Sequence, residues 1–423
     1  MNQEMNRLSL LSIQVEKESI ATALQANEIY NHLGEFLKDP IMLSSKKRTI
    51  TIIGGGIIGL MAAYFLQKNG FGITILERKS FGAAASGRNG GGVLALGREL
   101  REIPFARLAI EIWDALELDG IDTKFVRSGN VMVARNETEK QKLLAAHDLY
   151  QASGLTVKIL SANDIKAFLP DIDSHIIMGL FSEADAQSYP FSTIKSIISY
   201  LRENGAKVID HCEVLEFKTN QQEIEYASTN KGNYQSDAYL FCAGPWTTEL
   251  CNKLNEEIPV LPRRSQILVT EIMKKRKIHP FVAGNSIYLR QTHAGNILFG
   301  GGGPWETNGY DVSNTNFAIE FLTKRFIEIF PGYRNKQLLR AFAGTVELTR
   351  DHLPYFGKIN SWDNAFISAG YNGHGYGMSA VMGKLMAKSL SNHFAGKVNP
   401  VETTILSDFS VARIVQKAGD QYV

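Results

Sequence analysis

TIIGGGIIGLMAAYFLQKNGFGITILERKS, residues 51–80, places three spaced glycines between two apolar runs. Gly54, Gly56 and Gly59 have the spacing GxGxxG at the junction of a predicted strand and a predicted helix. The first glycine permits a tight turn, the second lets the backbone approach a diphosphate, and the third lets the helix pack closely on the strand. Phosphate charge then lies at the positive end of the helix dipole. The stretch therefore predicts a dinucleotide-binding βαβ unit of the Rossmann type.

Glu77 ends the second apolar run, at the expected carboxyl end of a strand. A carboxylate in this position accepts hydrogen bonds from the ribose hydroxyls of a dinucleotide. A glycine-rich turn that binds nothing is the alternative, but it does not account for strand, turn, helix, strand and acid in this order. The motif alone does not distinguish NAD from FAD.

Length and composition indicate a soluble protein of more than one domain. The chain has 423 residues, of which 44% are hydrophobic and 21% are charged, and two domains are the usual outcome at this length. The formal net charge of +2 gives no reason to expect nucleic-acid binding. The basic cluster Lys274–Lys277 is interpreted as a solvated loop rather than a membrane or partner contact.

Cysteine and histidine patterns do not indicate a metal site. The three cysteines, Cys212, Cys242 and Cys251, have no CxxC spacing, and no HExxH motif is present. Residues 1–20 lack a basic segment followed by an apolar one, and the longest apolar run, Ile52–Leu66, is shorter than a membrane span. We therefore expect a cytoplasmic protein without a bound metal, and leave peripheral association with a membrane open.

The pattern before the first strand, in residues 1–47, predicts a helix that ends at Asp39-Pro40. Its apolar stripe comprises Ile20, Leu24, Leu33 and Leu37, flanked by Ile29 and Phe36. We expect this face to pack on the main body of the protein. A docking helix for a partner subunit is the alternative.

Periodicity along the rest of the chain predicts β-rich segments that interrupt the dinucleotide-binding pattern twice. Helices are expected from Pro104, near residues 138–152, at Ser192–Glu203 and at Asn316–Ile329. Strands are expected on both sides of SGN within residues 124–134, in residues 175–181, 207–210 and 237–246, and repeatedly within residues 263–303.

Two further glycine-rich stretches favour FAD over NAD. AAASGRNGGGV, residues 83–93, leaves peptide groups bare for a flat ring or a diphosphate, and Arg88 and Asn89 can hydrogen-bond phosphate or ring carbonyls. In ISAGYNGHGYGMSAVMGKLMA, residues 367–387, a strand ends in a glycine turn before another helix. A helix N-terminus at a flavin would stabilise the negative charge of the reduced ring, which a nicotinamide does not need.

Taken together, these residues resemble the FAD-dependent D-amino-acid oxidase superfamily, which includes glycine and sarcosine oxidases, D-amino-acid dehydrogenases and gamma-glutamylputrescine oxidoreductase. Several motifs look closest to the last of these. Residues 91–113 look more like the β-type subunits of sarcosine oxidase and of opine and proline dehydrogenases. The matching motifs, spread over about residues 48–390, are IIGGGIIGL…ILER, ASGRNGGG, CEVLEF, CAGPW, YLRQTHAGNILFGGG, FAGTVELTRDHLPYFG and GYNGHGYGM.

The resemblance implies an α/β fold with an α+β substrate domain. A discontinuous Rossmann-type FAD-binding domain would carry an antiparallel-sheet substrate domain that covers the flavin. We assign residues 1–47 to an N-terminal helical extension, residues 48–97, 184–262 and 341–423 to the FAD-binding domain, and residues 98–183 and 263–340 to the substrate domain.

The glycine motifs and the resemblance together indicate which residues bind FAD. The resemblance implies that Val214 contacts adenine through its backbone and that the turn at Ala243-Gly244 lies against the cofactor. The expected set is Gly54, Gly56, Ile57, Ile58, Gly59, Glu77, Arg78, Ser86, Arg88, Asn89, Gly90, Gly91, Val214, Ala243, Gly244, Trp246, Gly373, His374, Gly375, Gly377 and Met378.

The substrate site departs from the family pattern. Glycine and D-amino-acid oxidases commonly bind the substrate carboxylate with arginines, at places that correspond here to Val346 and to Gly373 or His374. Arg290 and Arg350 are the substitutes that the sequence offers. A larger amine without an α-carboxylate near the flavin is the alternative. The residues expected to position the substrate are Arg290, His374, Tyr288 and Arg350.

The resemblance implies oxidation of the C–N bond of an amino acid or related amine, such as a D-amino acid, glycine, an N-alkyl glycine or a polyamine derivative. Hydride would pass from the substrate to flavin N5, the resulting imine would hydrolyse, and oxygen or another acceptor would take the electrons. The alternative is a flavin-carrying subunit of an amine, opine or proline dehydrogenase that is active only with a partner subunit. The two extra glycine stretches disfavour an NAD-linked dehydrogenase.

FAD should be bound non-covalently. Relatives with a covalent flavin attach it to cysteine or histidine, and neither AFAGTVELTRD, residues 341–351, nor SGRNGGG, residues 86–92, contains either residue. Acid precipitation of the purified protein should therefore release the yellow colour into the supernatant. Colour that stays with the precipitated polypeptide would contradict this prediction.

Overall fold

The computed structural model of the protein describes residues 2–38, 47–273, 276–301, 306, 309–398 and 400–413. Its α-helices are α1 (Asn2–Lys38), α2 (Ile57–Lys68), α3 (Ile103–Leu118), α4 (Glu137–Ala152), α5 (Ala162–Phe168), α6 (Pro190–Glu203), α7 (Thr247–Asn252), α8 (Asn316–Ile329), α9 (Gly375–Phe394) and α10 (Pro400–Thr404). Short 3₁₀ turns lie at Ala85–Gly87, Gly244–Trp246, Pro331–Tyr333 and Leu406–Phe409.

The strands of the first half of the chain are β1 (Thr49–Ile53), β2 (Gly72–Leu76), β3 (Gly92–Val93), β4 (Asn130–Ala134), β5 (Lys158–Ser161), β6 (Met178–Ser182), β7 (Ala186–Gln187) and β8 (Lys207–Ile209). Those of the second half are β9 (Val214–Asn220), β10 (Glu223–Thr229), β11 (Gly232–Tyr234), β12 (Ala238–Phe241), β13 (Leu261–Ile272), β14 (Phe281–Gly284), β15 (Ile287–Gln291), β16 (Asn296–Gly300), β17 (Leu338–Leu348), β18 (Tyr355–Lys358) and β19 (Ala365–Ala369).

The β1–α2–β2 unit is the centre of a six-stranded sheet with the order β18-β19-β12-β1-β2-β8. Strand β1 pairs in parallel with both β2 and β12, and only β18 runs antiparallel to its neighbour. The apolar residues of β1 are buried because helices cover one face of the sheet, and α7 with the small sheet β11-β10-β9 covers the other. This arrangement confirms the Rossmann-type unit predicted from residues 51–80.

Helices α2 and α9 pack against each other on one face of this sheet. Gly383 of α9 allows the close approach, since a Cβ there would come within 2.7 Å of the Met61 backbone. Each helix follows directly after a strand, α2 after β1 and α9 after β19, and these strands run in the same direction. The N-termini of both helices therefore lie at the same edge of the sheet.

A second sheet of eight strands has the order β17-β13-β16-β15-β14-β4-β6-β5. Its neighbours pair antiparallel except for β14 and β4, which are parallel. Helix α8 packs on one face, where Leu289 and Phe299 meet Phe326. The mixed α/β fold with an antiparallel-type second sheet agrees with the predicted fold class.

Strand β17 crosses the boundary that the sequence suggested between residues 340 and 341. It pairs with β13 along almost its full length, so residues 341–348 belong to the eight-stranded sheet rather than to the Rossmann-type sheet. The other domain boundaries stay predictions.

Helix α1 is present as predicted, and of its predicted stripe Leu33 and Phe36 are buried and Ile29 and Leu37 are partly buried. The buried side chains, which pack towards α3, α4 and α9, include Ala23, Ala26, Leu33 and Phe36. The expectation that Ile20 and Leu24 share this stripe was wrong, because their side chains are 44% and 58% exposed. The predicted stop at Asp39-Pro40 falls outside the described residues.

Polar contacts also fix the C-terminal half of α1 to the body. The guanidinium of Arg107 lies 3.7 Å from the ring centroid of Tyr30 and donates to Asn27 Oδ1 at 3.0 Å. Tyr30 donates to the Glu111 carboxylate. None of the described helices has the length and apolarity needed to cross a membrane.

The segment KFVRSGNVMVA, residues 124–134, does not form the two strands that were predicted. Only β4 forms, and Val126 makes an isolated bridge to Gln187. Lys124 and Gly129 have φ values of 52° and 74°, which interrupt an extended strand. Helix α5 was not predicted from the sequence. The small sheet of β9, β10 and β11 was predicted only in part.

Asp185 ties the segment after β3 to the eight-stranded sheet. The carboxylate is fully buried and accepts hydrogen bonds from the backbone N–H groups of Ala95 and Leu96 at 3.0 and 3.1 Å. Asn130 Nδ2 and Ser182 Oγ of the large sheet donate to it at 3.2 and 3.1 Å. Burial outweighs these hydrogen bonds and raises the pKa of Asp185 to about 6.

Stability should depend on pH through Asp185. Because its folded-state pKa lies above the ordinary value of 3.8, its contribution is fully present below about pH 4 and is lost as the pH rises through about 6. The asparagine of Asp185→Asn does not titrate. From pH 4 to pH 7, the free energy of unfolding of the wild type should therefore fall by up to about 3 kcal/mol relative to that of the variant. Urea unfolding at a series of pH values measures this gap. A gap that is independent of pH would contradict the assignment.

Candidate active site

A cavity of about 330 Å³ lies at the carboxyl ends of β1, β2 and β12. Strands β13, β15 and β17 of the eight-stranded sheet contribute Ser265, Ile267, Tyr288 and Val346 to its lining. The three glycine-rich stretches also line it, with residues 54 and 56–58, residues 82–86, 88 and 89, and residues 373 and 375. Three segments that are far apart in sequence therefore meet at one sheet edge.

The turn between β1 and α2 brings bare backbone to the cavity. Gly54 has a φ of 118°, and a Cβ at this residue would collide with the carbonyl oxygen of Cys242. A Cβ at Gly59 would collide with the Gly54 carbonyl oxygen, so α2 packs closely on β1 as predicted. Gly56 is the N-cap of α2 and provides no side-chain cap. The positive end of α2 is therefore open to an anion in the cavity, apart from Ile57 N, which donates to Ser86 Oγ at 2.8 Å.

Glu77 and an aromatic stack define the cavity beyond β2. The Glu77 carboxylate accepts from Gly55 N at 2.8 Å and from Lys79 N at 2.7 Å, which fixes its position at the strand end. The guanidinium of Arg78 lies 4.2 Å from the ring centroid of Trp246. The Trp246 ring in turn stacks on Tyr310, with centroids 5.7 Å apart. Two residues predicted to bind the cofactor, Arg78 and Trp246, thus contact each other at this end.

The loop of residues 83–91 is held mainly by its own hydrogen bonds. Arg88 Nη1 donates to Ala343 O at 2.7 Å, which ties the loop to β17, and Asn89 Nδ2 donates to Ser86 O at 2.6 Å. Arg88, Asn89 and Ser86 all line the cavity. Hydrogen bonds from Arg88 and Asn89 to phosphate or ring carbonyls stay a prediction, since both side chains already have partners in the protein.

The N-terminus of α9 forms the third corner. Gly373, Gly375 and Tyr376 line the cavity, but the side chain of His374, the N-cap residue, does not. His374 Nδ1 instead lies 2.8 Å from Glu102 Oε2, and Glu102 is fully buried. Burial lowers the pKa of His374. Its side chain therefore pairs with the residue that precedes α3, and its contact with a flavin stays a prediction.

The chain matches the family model described as FAD dependent oxidoreductase, over residues 49–389. The chain belongs to that family. FAD is therefore its cofactor, and oxidation and reduction are its chemistry.

Several of the relatives are named as enzymes of amino acids or amines. Sarcosine oxidase subunit beta from Arthrobacter sp is 24% identical, and the alignment covers 84% of this chain and 89% of the relative. Hydrogen cyanide synthase subunit HcnC from Pseudomonas aeruginosa is 26% identical over 80% of this chain and 91% of its own. Among solved structures, L-proline dehydrogenase from P. horikoshii has a TM-score of 0.80 and 25% identity, covering 88% of this chain and 98% of that one. Glycine oxidase from Geobacillus kaustophilus has a TM-score of 0.78 and 19% identity, with coverage of 87% and 99%.

The residues present fit FAD on two observations. The backbone of the GxGxxG turn is bare where a diphosphate would approach, and α2 offers its positive end there. Glu347 Oε2, in the cavity wall, is shielded from solvent and has no hydrogen-bond partner among the described residues, as a group awaiting a ligand donor would be. The ADP half would lie between Glu77 and α2. The flavin half would lie towards Gly373 and the roof of the cavity, which is formed by strands β13, β15 and β17.

Most of the predicted cofactor-binding residues line the cavity, and their contacts with FAD stay predictions. The lining members are Gly54, Gly56, Ile57, Ile58, Glu77, Arg78, Ser86, Arg88, Asn89, Val214, Ala243, Gly244, Trp246, Gly373 and Gly375. The members outside the lining are Gly59, Gly90, Gly91, His374, Gly377 and Met378.

Several glycines outside the lining contact protein instead. A Cβ at Gly90 would come within 2.6 Å of the Tyr288 ring, and one at Gly91 would collide with the carbonyl oxygen of Ser188. Gly377 packs on β3 and accepts from Trp113 Nε1 at 2.9 Å. Met378 is part of the main core. These residues shape the cavity by letting neighbouring segments come close.

The substrate-site candidates separate into two groups. Tyr288 lines the cavity, and burial raises its pKa to about 12, so the phenol stays protonated at neutral pH. Arg290, two residues later on β15, is 5% exposed and is not among the residues that line the cavity. Arg350 is exposed in the turn after β17, away from the cavity lining, and the structure gives no support for its positioning a substrate.

Sequence reasoning missed Glu347, Tyr371 and Tyr376, all of which line the cavity. Glu347 lay within a quoted motif, but only its neighbour Val346 was considered. An acidic residue between two apolar ones in the motif AFAGTVELTRD was the available signal, because a buried segment rarely carries an unpaired carboxylate.

Gly54→Ala should weaken FAD binding and destabilise the fold. The alanine would adopt a left-handed conformation, which costs about 1–2 kcal/mol, and its Cβ would displace the Cys242 carbonyl. We expect the FAD dissociation constant to rise at least about tenfold. Fluorescence titration of the apoprotein with FAD measures it.

Gly205→Ala is the matched control. Gly205 has a φ of 84°, but a Cβ there would meet nothing within 4 Å. It therefore carries the same backbone strain without the collision, and its FAD affinity should equal that of the wild type. If both variants bind FAD alike, close packing at Gly54 does not matter for the cofactor.

Proposed function

We propose that this chain is an FAD-dependent enzyme that oxidises the C–N bond of an amino acid, with Arg290 binding the substrate carboxylate. The supporting observation is a buried arginine on β15, two residues after the cavity-lining Tyr288, that has no anionic partner among the described residues. Relatives that act on sarcosine, glycine and proline are consistent with this class of substrate.

Arg290 and Tyr288 share one face of β15. Alternation along the strand puts Leu289 on the opposite face, in the core beneath α8, so Tyr288 and Arg290 both face the cavity side. They are about 7 Å apart along the strand, which is the span of a small amino acid. An amino acid beside Tyr288 would therefore place its carboxylate within reach of Arg290.

The hydrogen bonds of Arg290 leave its charge uncompensated. Nη1 donates to Gln187 Oε1 and to Ser188 O, both at 3.1 Å, and Nε has no partner. No described carboxylate forms an ion pair with it. Burial lowers the pKa of Arg290, and the nearby charge of Arg276 lowers it further. A buried cation in this state is stabilised by an anionic ligand, and a polycationic amine would be repelled.

Bound FAD supplies the acceptor for a hydride from the substrate α C–H bond. The substrate loses that hydride and an N–H proton, and the resulting imine is hydrolysed to a carbonyl compound and ammonia or a smaller amine. The residues of this chain orient the α carbon: Arg290 holds the carboxylate, and Tyr288, as a neutral phenol, closes the roof. Positioning and exclusion of water then provide much of the rate acceleration.

A second candidate function is that of a flavin-carrying subunit that needs a partner. Two of the relatives are named as subunits, and this chain covers 89% and 91% of their lengths. One face of α1 packs on α3 and α4, and Ile20 and Leu24 lie exposed on the rest of the helix.

An anaerobic substrate screen tests the proposal. The purified holoprotein is mixed with glycine, sarcosine, L- and D-amino acids, proline and polyamines, and flavin absorbance is followed. At least one carboxylate-bearing amine should bleach the flavin, and polyamines should not. Admission of air or of an artificial electron acceptor then separates oxidase from dehydrogenase. If no compound reduces the flavin of the isolated chain, but one does so after co-purification with a partner, the subunit function is favoured.

Arg290→Gln should raise KM for the amino acid at least about 100-fold, since a charge-assisted bidentate contact is lost. Arg290→Lys should recover part of this loss, because it keeps the charge. Arg340→Gln is the matched control, as Arg340 is exposed on β17 of the same sheet. Stopped-flow reduction of the flavin gives the values. An unchanged KM in Arg290→Gln would remove Arg290 from the substrate site.

A further inference from the structure

Glu347 of β17 stands in the cavity wall between two turns. One is the turn after β12, where a Cβ on Gly244 would lie 3.3 Å from Glu347 Oε2. The other is the turn after β19, where Tyr371 N donates to Glu347 Oε1 at 3.1 Å. The backbone of Glu347 also contacts this turn, accepting from Asn372 N at 2.9 Å. The carboxylate is therefore fixed in place by one of its two oxygens.

The second oxygen of this carboxylate is unused. Oε2 is shielded from solvent, lines the cavity and has no partner among the described residues. Burial raises the pKa of Glu347 because solvation of the carboxylate is lost. A buried carboxylate oxygen without a donor is costly, so a donor from the ligand would restore what burial removes.

The position of Glu347 along the sheet edge indicates which part of FAD it meets. Glu77 follows β2, the diphosphate corner follows β1, and Gly244 follows β12, with β19 as the next strand. Neighbouring strands are about 4.8 Å apart, so Glu347 lies one to two strands beyond the diphosphate corner, on the side away from Glu77. In FAD, the segment between the diphosphate and the ring is the ribityl chain, which carries hydroxyl donors.

Charge excludes the neighbouring groups. A carboxylate beside the diphosphate would be repelled by its charge. Four cationic residues line the cavity, Arg78, Lys79, Arg88 and Lys253; Arg78 contacts Trp246, and Arg88 donates to the carbonyl oxygens of Ala83 and Ala343 and not to Glu347. The N1 and O2 atoms of the flavin are acceptors, so an ionised carboxylate finds no donor there.

We propose that Glu347 Oε2 accepts a hydrogen bond from a ribityl hydroxyl of FAD. Glu347 thereby recognises the ribityl–flavin half of the cofactor, whereas Glu77 and the α2 N-terminus serve the ADP half. The assignment depends on FAD as the cofactor and is independent of which substrate is oxidised.

Two ligands on one variant test this division. Glu347→Gln is prepared as full-length apoprotein and titrated with FAD by flavin fluorescence and with ADP by calorimetry. The FAD dissociation constant should rise about tenfold or more, and the ADP constant should stay within about twofold of the wild type. Glu77→Gln is the matched control and should weaken both ligands. The midpoint of thermal unfolding of each apoprotein reports whether the variant is folded.

FAD analogues that lack one ribityl hydroxyl each give an independent test on the wild-type chain. One analogue should bind the wild type about tenfold more weakly than FAD does. The same analogue and FAD should have equal dissociation constants for Glu347→Gln. If Glu347→Gln does not fold, the wild-type series decides alone.

Three outcomes would overturn the proposal. Equal or tighter FAD binding by Glu347→Gln would mean that the carboxylate is neutral to the cofactor or repels its diphosphate. Equal weakening of ADP and FAD would assign Glu347 a structural role. Wild-type binding of every deoxy analogue with the affinity of FAD would show that no ribityl hydroxyl is recognised.

Discussion

The contact between the backbone of Gly54 and the carbonyl of Cys242 sets the position of everything else at the active site. Because no side chain separates the ends of β1 and β12, α2 begins at the sheet edge with its N–H groups open to the cavity. The parallel order of β1, β12 and β19 brings the N-terminus of α9 to the same edge. The eight-stranded sheet covers this edge. A flavin would then be enclosed between the N-termini of α2 and α9 and the strands β13, β15 and β17.

Two buried arginines of the eight-stranded sheet illustrate how environment separates structure from chemistry. Arg264 on β13 is paired with Glu306 and Asp311 and donates to the backbone around Ser313, so its charge is compensated within the protein. Arg290 on β15 donates to neutral acceptors alone among the described residues. Sequence alone presents both as strand arginines. The distinction comes from partners that are distant along the chain.

The extent to which sequence predicted this protein follows from how local each signal is. The β1–α2–β2 unit and α8 at Asn316–Ile329 were predictable because glycine spacing, helical periodicity and caps act over a few residues. The buried face of α1 was predicted only in part, because the small Ala23 and Ala26 do not stand out in a pattern of large apolar side chains. The contact of His374 with Glu102 was not predictable either, since Glu102 is distant from the motif in sequence. Glu347 became visible only when its unpaired oxygen could be located in a wall built from three strands.

The ring of Tyr288 is clamped between two glycines, with Gly90 on one edge and Gly301 on the other. Neither position leaves room for a methyl group, so the phenol has one orientation and acts as a rigid ceiling over the cavity. The two glycines thereby fix the position of the Tyr288 ring over the cavity, although neither needs to contact a bound molecule. In related enzymes, a bulkier residue in place of either glycine would tilt this ring and change the height of the cavity below it. The arginine on the same strand would keep its position.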